Sequence, residues 1–363
     1  MITILSNYVN QKTSVRMLLL QKSPTQPHPH VISVTDRDLR RRYGLILLSL
    51  LLAATAIASL MLGAKPIAPQ IVWHSLIGTL QGADSTIITQ ARLPRTLAGI
   101  VAGMALGSAS AVIQALTRNP LADPGILGIN AGASFAIVVS ISLFGINSME
   151  AWLGSAWIGV LFASLMVWII GTLSGGRVNP LRLTLAGVAL HAVLSGMTSS
   201  ISLLDPQAFD QLRMWEAGTL DIRSLHNVAL ATPAIVLGIG LALLIGRMLN
   251  TLSMGEDLAT ALGSRVVLTR TIAIIAVMLL CGSATALVGP IGFIGLMTPH
   301  IVRWWTGPDQ RWIVLYSLLF APILLLSADI VGRLLVTGEL RVSIVTAFIG
   351  APMLIWLVRR RQS

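Results

Sequence analysis

Charge is scarce in this chain of 363 residues: only 11% are Asp, Glu, Lys or Arg, against 55% hydrophobic residues and a mean hydropathy of +0.81. So few polar groups cannot cover a globular surface, which excludes a soluble fold and makes lipid the solvent. Cysteine is almost missing as well. The single Cys281, inside an apolar run, rules out an intrachain disulfide and any cysteine-based zinc or iron–sulfur site. Lysine occurs only as Lys12, Lys22 and Lys65, none in a glycine-rich loop, and no G-x-x-x-x-G-K-[ST] is present. The chain therefore cannot bind and split ATP by that route. Neither G-x-S-x-G nor H-E-x-x-H occurs, and the adjacent Glu256 and Asp257 have no base, nucleophile or metal site converging on them, so an enzyme is not indicated. His28, His30, His191 and His300 lack acidic or cysteine partners at ligand spacing, and no bound metal or cofactor is expected.

What is abundant is long apolar runs. Segments of about 20 apolar residues cross a hydrocarbon core of roughly 30 Å. Candidates lie at 44–63, 95–116, 126–145, 152–173, 183–204, 228–249, 267–288, 293–306, 312–332 and 342–358, so an all-α polytopic membrane protein of ten spans is expected. The eighth is short: at about 1.5 Å per residue it covers only about 21 Å. It follows Gly289–Gly292 (GPIG), and broken backbone at membrane depth needs protein or a water-filled cavity around it, which places GPIGFIGLMTPH inside the bundle. The net charge of +11 comes mostly from Arg placed singly or in short clusters between spans, without the interleaved aromatics of a nucleic-acid groove. Such residues orient the chain. Arg40–Arg42, Arg118, Arg177, Arg182, Arg247, Arg265, Arg270, Arg303, Arg311 and Arg359–Arg361 dominate one set of alternate loops, which puts both termini in the cytoplasm. Residues 1–42 then read as a cytoplasmic tail and 43–363 as the membrane domain. Tryptophans such as Trp152, Trp168, Trp304 and Trp312 fall near span ends, as an interfacial belt does.

Several stretches carry more than hydrophobicity. Gly99, Gly103 and Gly107 step along the second span at four-residue intervals, which lets helix backbones approach closely. In NPLADPG, Pro120 and Pro124 forbid a continuous helix and impose a sharp turn. The fifth span holds Thr184, His191, Ser195, Thr198, Ser199 and Ser202; such hydroxyls either bond back to their own helix or line a polar path. The loop 250–266 contains MGEDLATALGSR. Thr251 or Ser253 is placed to cap a short helix, Glu256 and Asp257 suit its N-terminus and Gly263 its end, although a plain solvated loop fits as well. Arg92, Arg95 and Arg333 stand at span ends, where a snorkelling anchor is the ordinary role; Asp329, four residues before Arg333, is within reach of it.

In this order, RLPRTLAG, QALTRNPLADPGILG, GPIGFIGLMTPHIVR, ADIVGR and TAFIGAP resemble the permease subunits of bacterial ABC importers for ferric siderophores, haem and vitamin B12 (the FecCD-type, type II importers), over about 90–358. The resemblance implies a permease in the bacterial cytoplasmic (inner) membrane, working as a homo- or heterodimer with two ATPase subunits that hold ATP and Mg, fed by a periplasmic or extracellular substrate-binding protein. It implies docking of that protein at Arg92, Arg95 and Arg333. It implies contact with the ATPase through Met254, Gly255, Glu256, Asp257, Ala259, Ala261, Leu262 and Gly263. It implies a pathway and gate at Asn119, Leu121, Thr184, His191, Ser195 and Ser199, and a vestibule shaped by Trp215 of WEAGTL. As cargo the resemblance favours a ferric siderophore, because most relatives that share these motifs serve iron, with vitamin B12 or haem as the alternatives. A gradient-driven secondary transporter is the other class to weigh. It would place acidic or basic relays at mid-membrane, and the sole acidic candidate within any span is Asp329, near a span end.

Overall fold

Apolar runs of this length satisfy their backbone only as helices, and helices are what forms. The computed structural model describes residues 34–146, 148–172, 180–336 and 339–362. Most of the expected tail, residues 1–33, lies outside them. The chain divides into the units Met1–Tyr43 and Gly44–Ser363, and the features below belong to the second. In chain order the helices are α1 (Val34–Met61), α2 (Pro69–Leu76), α3 (Leu93–Thr117), α4 (Ile129–Phe144), α5 (Met149–Thr172), α6 (Pro180–Leu204) and α7 (Pro206–Glu216). They continue as α8 (Leu225–Leu244), α9 (Gly246–Ser253), α10 (Glu256–Ala261), α11 (Val266–Val288), α12 (Ile294–Thr306), α13 (Gln310–Leu335) and α14 (Val342–Gln362). A turn at Ala83–Thr86 and a wide π-helical turn at Ile87–Arg92 run without a break into α3.

All ten expected spans coincide with helices. Among the described residues seven helical segments are long and apolar enough to cross a membrane, while α4 and Val342–Trp356 of α14 are shorter apolar helices. The eighth expected span is α12, 13 residues with Pro299 inside it. Gly289 and Ile291 before it are buried and Gly292 is exposed, so the broken stretch sits largely inside the protein. Local chemistry sets the ends. Arg118 in the left-handed region (φ 52°) and Pro120 stop α3; Asp205 caps α7 through the Gln207 and Ala208 amides, with Pro206 at its first position. This helix and α2 replace what reads in sequence as loop.

The bundle is built around α3, α11 and α13, whose apolar windows are 78%, 72% and 72% buried, whereas α1 and α6 are only 22% buried. Helix α3 packs most extensively on α13. The contact is possible because Gly103 has no side chain: a Cβ there would overlap Pro322 backbone of α13. On α6, Gly196 has open space instead. Gly103→Ala should therefore destabilise the protein by about 1–3 kcal/mol, and Gly196→Ala by far less, as measured by thermal unfolding in detergent.

Candidate functional site

Three guanidinium groups meet at one end of the bundle. Arg92 donates to the carbonyls of Leu60 and Met61, at 2.8 Å each, and to that of Lys65. Arg95 grips Asp329 through Nε and Nη2 (3.1 and 2.9 Å), and its Nη1 donates to Glu339 at 2.7 Å. Arg333 donates to the Ser59 and Leu62 carbonyls (3.0 and 2.9 Å) and to Ser59 Oγ, while its Nε stands 3.2 Å from Asp329 Oδ2. The intrahelical Asp329–Arg333 pair foreseen from their spacing is present. Snorkelling is not: Arg92, Arg95 and Arg333 are 7%, 8% and 5% exposed, and Asp329 is fully buried. The reason is local supply of acceptors, since carbonyls at the end of α1 and one carboxylate from α13 meet the guanidinium donors inside the protein. Only Glu339 in this cluster is substantially exposed, and its backbone is left-handed (φ 51°).

A cavity of about 460 Å³, lined by apolar as well as polar groups, opens between α4, α6 and α7. Its wall on α6 is His191, Ser195, Thr198, Ser199 and Ser202, a single stripe at helical spacing. Facing them are Asn130 and Ser134 of α4, with Arg213 and Glu216 of α7. Ser134 donates to Glu216 at 2.7 Å, and His191 Nε2 lies 3.5 Å from Ser195 Oγ. The structure thus brings His191, Ser195 and Ser199 together, while Thr184, on the first turns of α6, is not in this wall. Asn130, Ser134, Arg213 and Glu216 were not singled out from sequence. Glu216 follows Trp215 in WEAGTL, and the capped start of α7 was readable in Asp205–Pro206. Trp215 itself is buried, beside a second depression of about 530 Å³ that also includes Arg95, Glu339 and Arg341.

At the opposite end of α3 the turn 118–128 folds as its prolines require. Asn119 Oδ1 accepts from the Leu121 amide at 3.0 Å, Asp123 Oδ1 from the Gly125 amide at 2.7 Å, and Leu121 is exposed. Burial pushes the Asp123 carboxyl above its ordinary value, partly offset by the Gly125 hydrogen bond. Arg118 Nε donates to the Leu252 carbonyl at 3.1 Å, which ties this turn to α9.

Beside it, α10 forms a six-residue helix. Neither Thr251 nor Ser253 caps it: their hydroxyls bond the Met248 and Asn250 carbonyls, and Thr251 also pairs with Ser264. The cap position falls to Gly255, whose φ of 125° a side chain would resist. Glu256, with Asp257 in the first turn, pairs with the buried Arg270 of α11; Ala259 is buried; Gly263 (φ 77°) follows Ala261 and Leu262 at the helix end. Met254, Leu258 and Leu262 are exposed at 65%, 46% and 60%, an apolar face on an otherwise polar loop. Nearby, Asp309 caps α13 and accepts from Asn250 Nδ2 at 2.7 Å. Burial alone would raise its carboxyl, but hydrogen bonds from Arg311 and Asn250 hold it below the ordinary range.

The sequence model of the FecCD transport family matches residues 50–360. The chain is 58% identical over 315 residues, 87% of its length and 94% of the relative, to the ferric enterobactin transport system permease protein FepD of Escherichia coli (strain K12). It is 35% identical, over 87% of its length and 95% of the relative, to the probable siderophore transport system permease protein YfiZ of Bacillus subtilis (strain 168). Among solved structures, a metal-chelate type ABC transporter in an inward-facing conformation superimposes with a TM-score of 0.77 at 27% identity, covering 88% of this chain and 99% of that one.

Asp329 pairs with two buried guanidinium groups at once. Asp329→Asn should cost about 3–5 kcal/mol, seen as loss of the folded peak in size-exclusion melting, while Glu339→Gln at the exposed rim should cost about 0–1 kcal/mol.

Proposed function

The chain belongs to the FecCD transport family, and from that premise we propose that it passes a ferric siderophore across the bacterial cytoplasmic membrane, taking it from a substrate-binding protein. It is a multi-pass permease subunit and not an enzyme: ATP hydrolysis resides on separate ATPase subunits, with a second permease completing the membrane part. The observation that carries the proposal is the order of features along the bundle: a basic cluster at one end, a hydroxyl-lined cavity beside the peripheral α6, and an apolar-faced helix, α10, at the other end. The nature of the cargo is supported by the FepD likeness, since that protein is named for ferric enterobactin.

Each end has a role in this reading. The end with α10 and the 118–128 turn faces the cytoplasm, as do both chain termini. Met254, Leu258 and Leu262 enter a groove of the ATPase, and the Glu256–Arg270 pair ties the motion of α10 to α11. Gly255 and Gly263 allow the tight entry and exit of that helix, and Asp257, Ala259 and Ala261 complete it. Asn119 and Leu121, in the neighbouring turn, close the cytoplasmic mouth, with Thr184 at the same end of α6. The opposite end meets the binding protein. Because Arg92, Arg95 and Arg333 are buried among their own acceptors, they shape that platform and tune its charge, with Glu339 and Arg341 at the surface. Exposed pairs there steer docking more than they hold it.

In a strain lacking this chain, the wild-type protein should restore uptake of radio-iron-labelled ferric enterobactin, dependent on its ATPase. Leu262→Asp should lower that uptake by about tenfold or more by spoiling an apolar anchor, with the protein still present in the membrane. Since Cys281 is buried, Asp257→Cys should react with a membrane-impermeant thiol reagent from the cytoplasmic side alone. Reaction from the outer side would overturn the orientation, and unchanged uptake in Leu262→Asp would remove α10 from the ATPase contact.

A further inference from the structure

Between α1 and α3, from Pro66 to Ala83, no residue carries a formal charge, and the first half of this stretch folds as α2. At about 3.6 residues per turn the side chains of α2 divide into three sectors. Val72 and Ser75 are buried and Ile71 is half-buried; Ile71 and Val72 pack in a small apolar cluster with Leu60, Ile67 and Ile88 of the π turn. Gln70 and His74 form an exposed polar sector. Between these two lie Trp73, Leu76 and Ile77, one stripe at i, i+3 and i+4, exposed at 64%, 42% and 51%. Leu80, in the turn that follows, is exposed as well.

A helix seated on protein in water needs two sectors, one for the core and one for solvent. The third sector calls for another apolar medium, and the surroundings say which. Helix α2 begins a short strap beyond Met61, the end of α1, and α1 turns Ile46, Leu47, Leu50 and Ile57 outward, the exposure of a lipid-facing span. The hydrocarbon that bathes α1 thus reaches its limit where α2 starts. Tryptophan settles at that boundary, because its ring is apolar and its indole N–H polar. The backbone is fit for the same place: the amides of Ile77, Gly78, Thr79 and Leu80 donate to carbonyls of Trp73, Ser75 and His74 at 3.0 to 3.3 Å. The turn therefore brings no unpaired donor toward lipid. A protein partner guided by charge would find none on this surface.

We infer that α2 lies in the lipid–water boundary of the leaflet at the Arg92 end of the bundle, with Trp73, Leu76 and Ile77 in lipid and Gln70 and His74 in water. The partner of this surface is the bilayer itself. What α2 anchors is the strap 62–68, whose Lys65 and Leu62 carbonyls receive Arg92 and Arg333. Lipid seating of α2 thereby sets the height of the arginine cluster relative to the membrane surface. The inference goes beyond the transport reading and holds whatever the cargo.

The test places a nitroxide on Trp73→Cys, Ile77→Cys or Gln70→Cys in the complete permease–ATPase complex, in nanodiscs of phosphatidylethanolamine and phosphatidylglycerol. All three side chains are exposed, and the buried Cys281 takes no label. Power saturation compares collision with oxygen, which concentrates in lipid, and with a water-soluble nickel chelate. The oxygen-to-nickel ratio is expected to be about threefold higher at 73 and 77 than at 70. Equal ratios at the three positions overturn the inference. So do labels at 73 and 77 that are shielded from both reagents, the mark of a protein neighbour such as a second permease. Labels that nickel reaches until the substrate-binding protein covers them overturn it too, since the face then belongs to the carrier. If labelling disturbs the fold, Trp73→Phe supplies a second measurement: wild type minus variant gives the Trp73 emission, expected to be quenched by lipids brominated high on the acyl chain. An unquenched difference overturns the lipid seating.

Discussion

The carboxylate of Asp329, shared between Arg95 and Arg333, is the interaction on which one whole end of the bundle depends. It joins α3 to α13, the two helices that also make the most extensive apolar contact, and Arg333 carries the tie onward to the carbonyls of α1. A full charge buried among helices is tolerable only when paired and hydrogen-bonded. Here two cations and one anion, with Glu339 at the rim, approach neutrality while leaving the cluster on the positive side once Arg92 is counted. The pairing fixes geometry rather than adding much stability, because its desolvation cost offsets most of its attraction. What the cluster supplies is a fixed geometry at this end of the bundle.

The middle of the molecule follows the opposite rule. Helices α3, α11 and α13 are packed through small residues and almost without charge, so they serve as a stiff spine. Hydroxyls are concentrated on α6, which with α1 is the least buried of the long spans among the described residues, and α4 and α7 face them across an open cavity. The division is one of packing: a stiff, apolar centre, and a loosely packed flank that carries the hydroxyls.

Much of this was legible in the sequence because lipid imposes periodicities that soluble folds do not. Apolar runs located the ten expected spans, the GPIG break foretells a short α12, and the proline pair at 120 and 124 marks the turn. What stayed hidden was chiefly long-range. Arg95 and Asp329 are 234 residues apart, and nothing in either neighbourhood announces the partner; the arginines therefore read as lipid-facing anchors when they are internal ties. The amphipathic α7 reads as loop, because its length falls below that of a span, although Asp205–Pro206 marks its start. The cap of α10 was misplaced for a different reason: Thr251 and Ser253 find carbonyls of α9, a helix that the hydropathy pattern merges with its surroundings.

The wide turn at Ile87–Arg92 ends where α3 begins, and the backbone of Arg92 and Leu93 is already α-helical. Arg92 and Arg95 therefore share one face, three residues apart. They do not compete, because their acceptors differ in kind: the Leu60, Met61 and Lys65 carbonyls for Arg92, the Asp329 and Glu339 carboxylates for Arg95. Both sets call for a planar fork of several donors, which an ammonium point charge does not provide, so exchange of either arginine for lysine is not a conservative change.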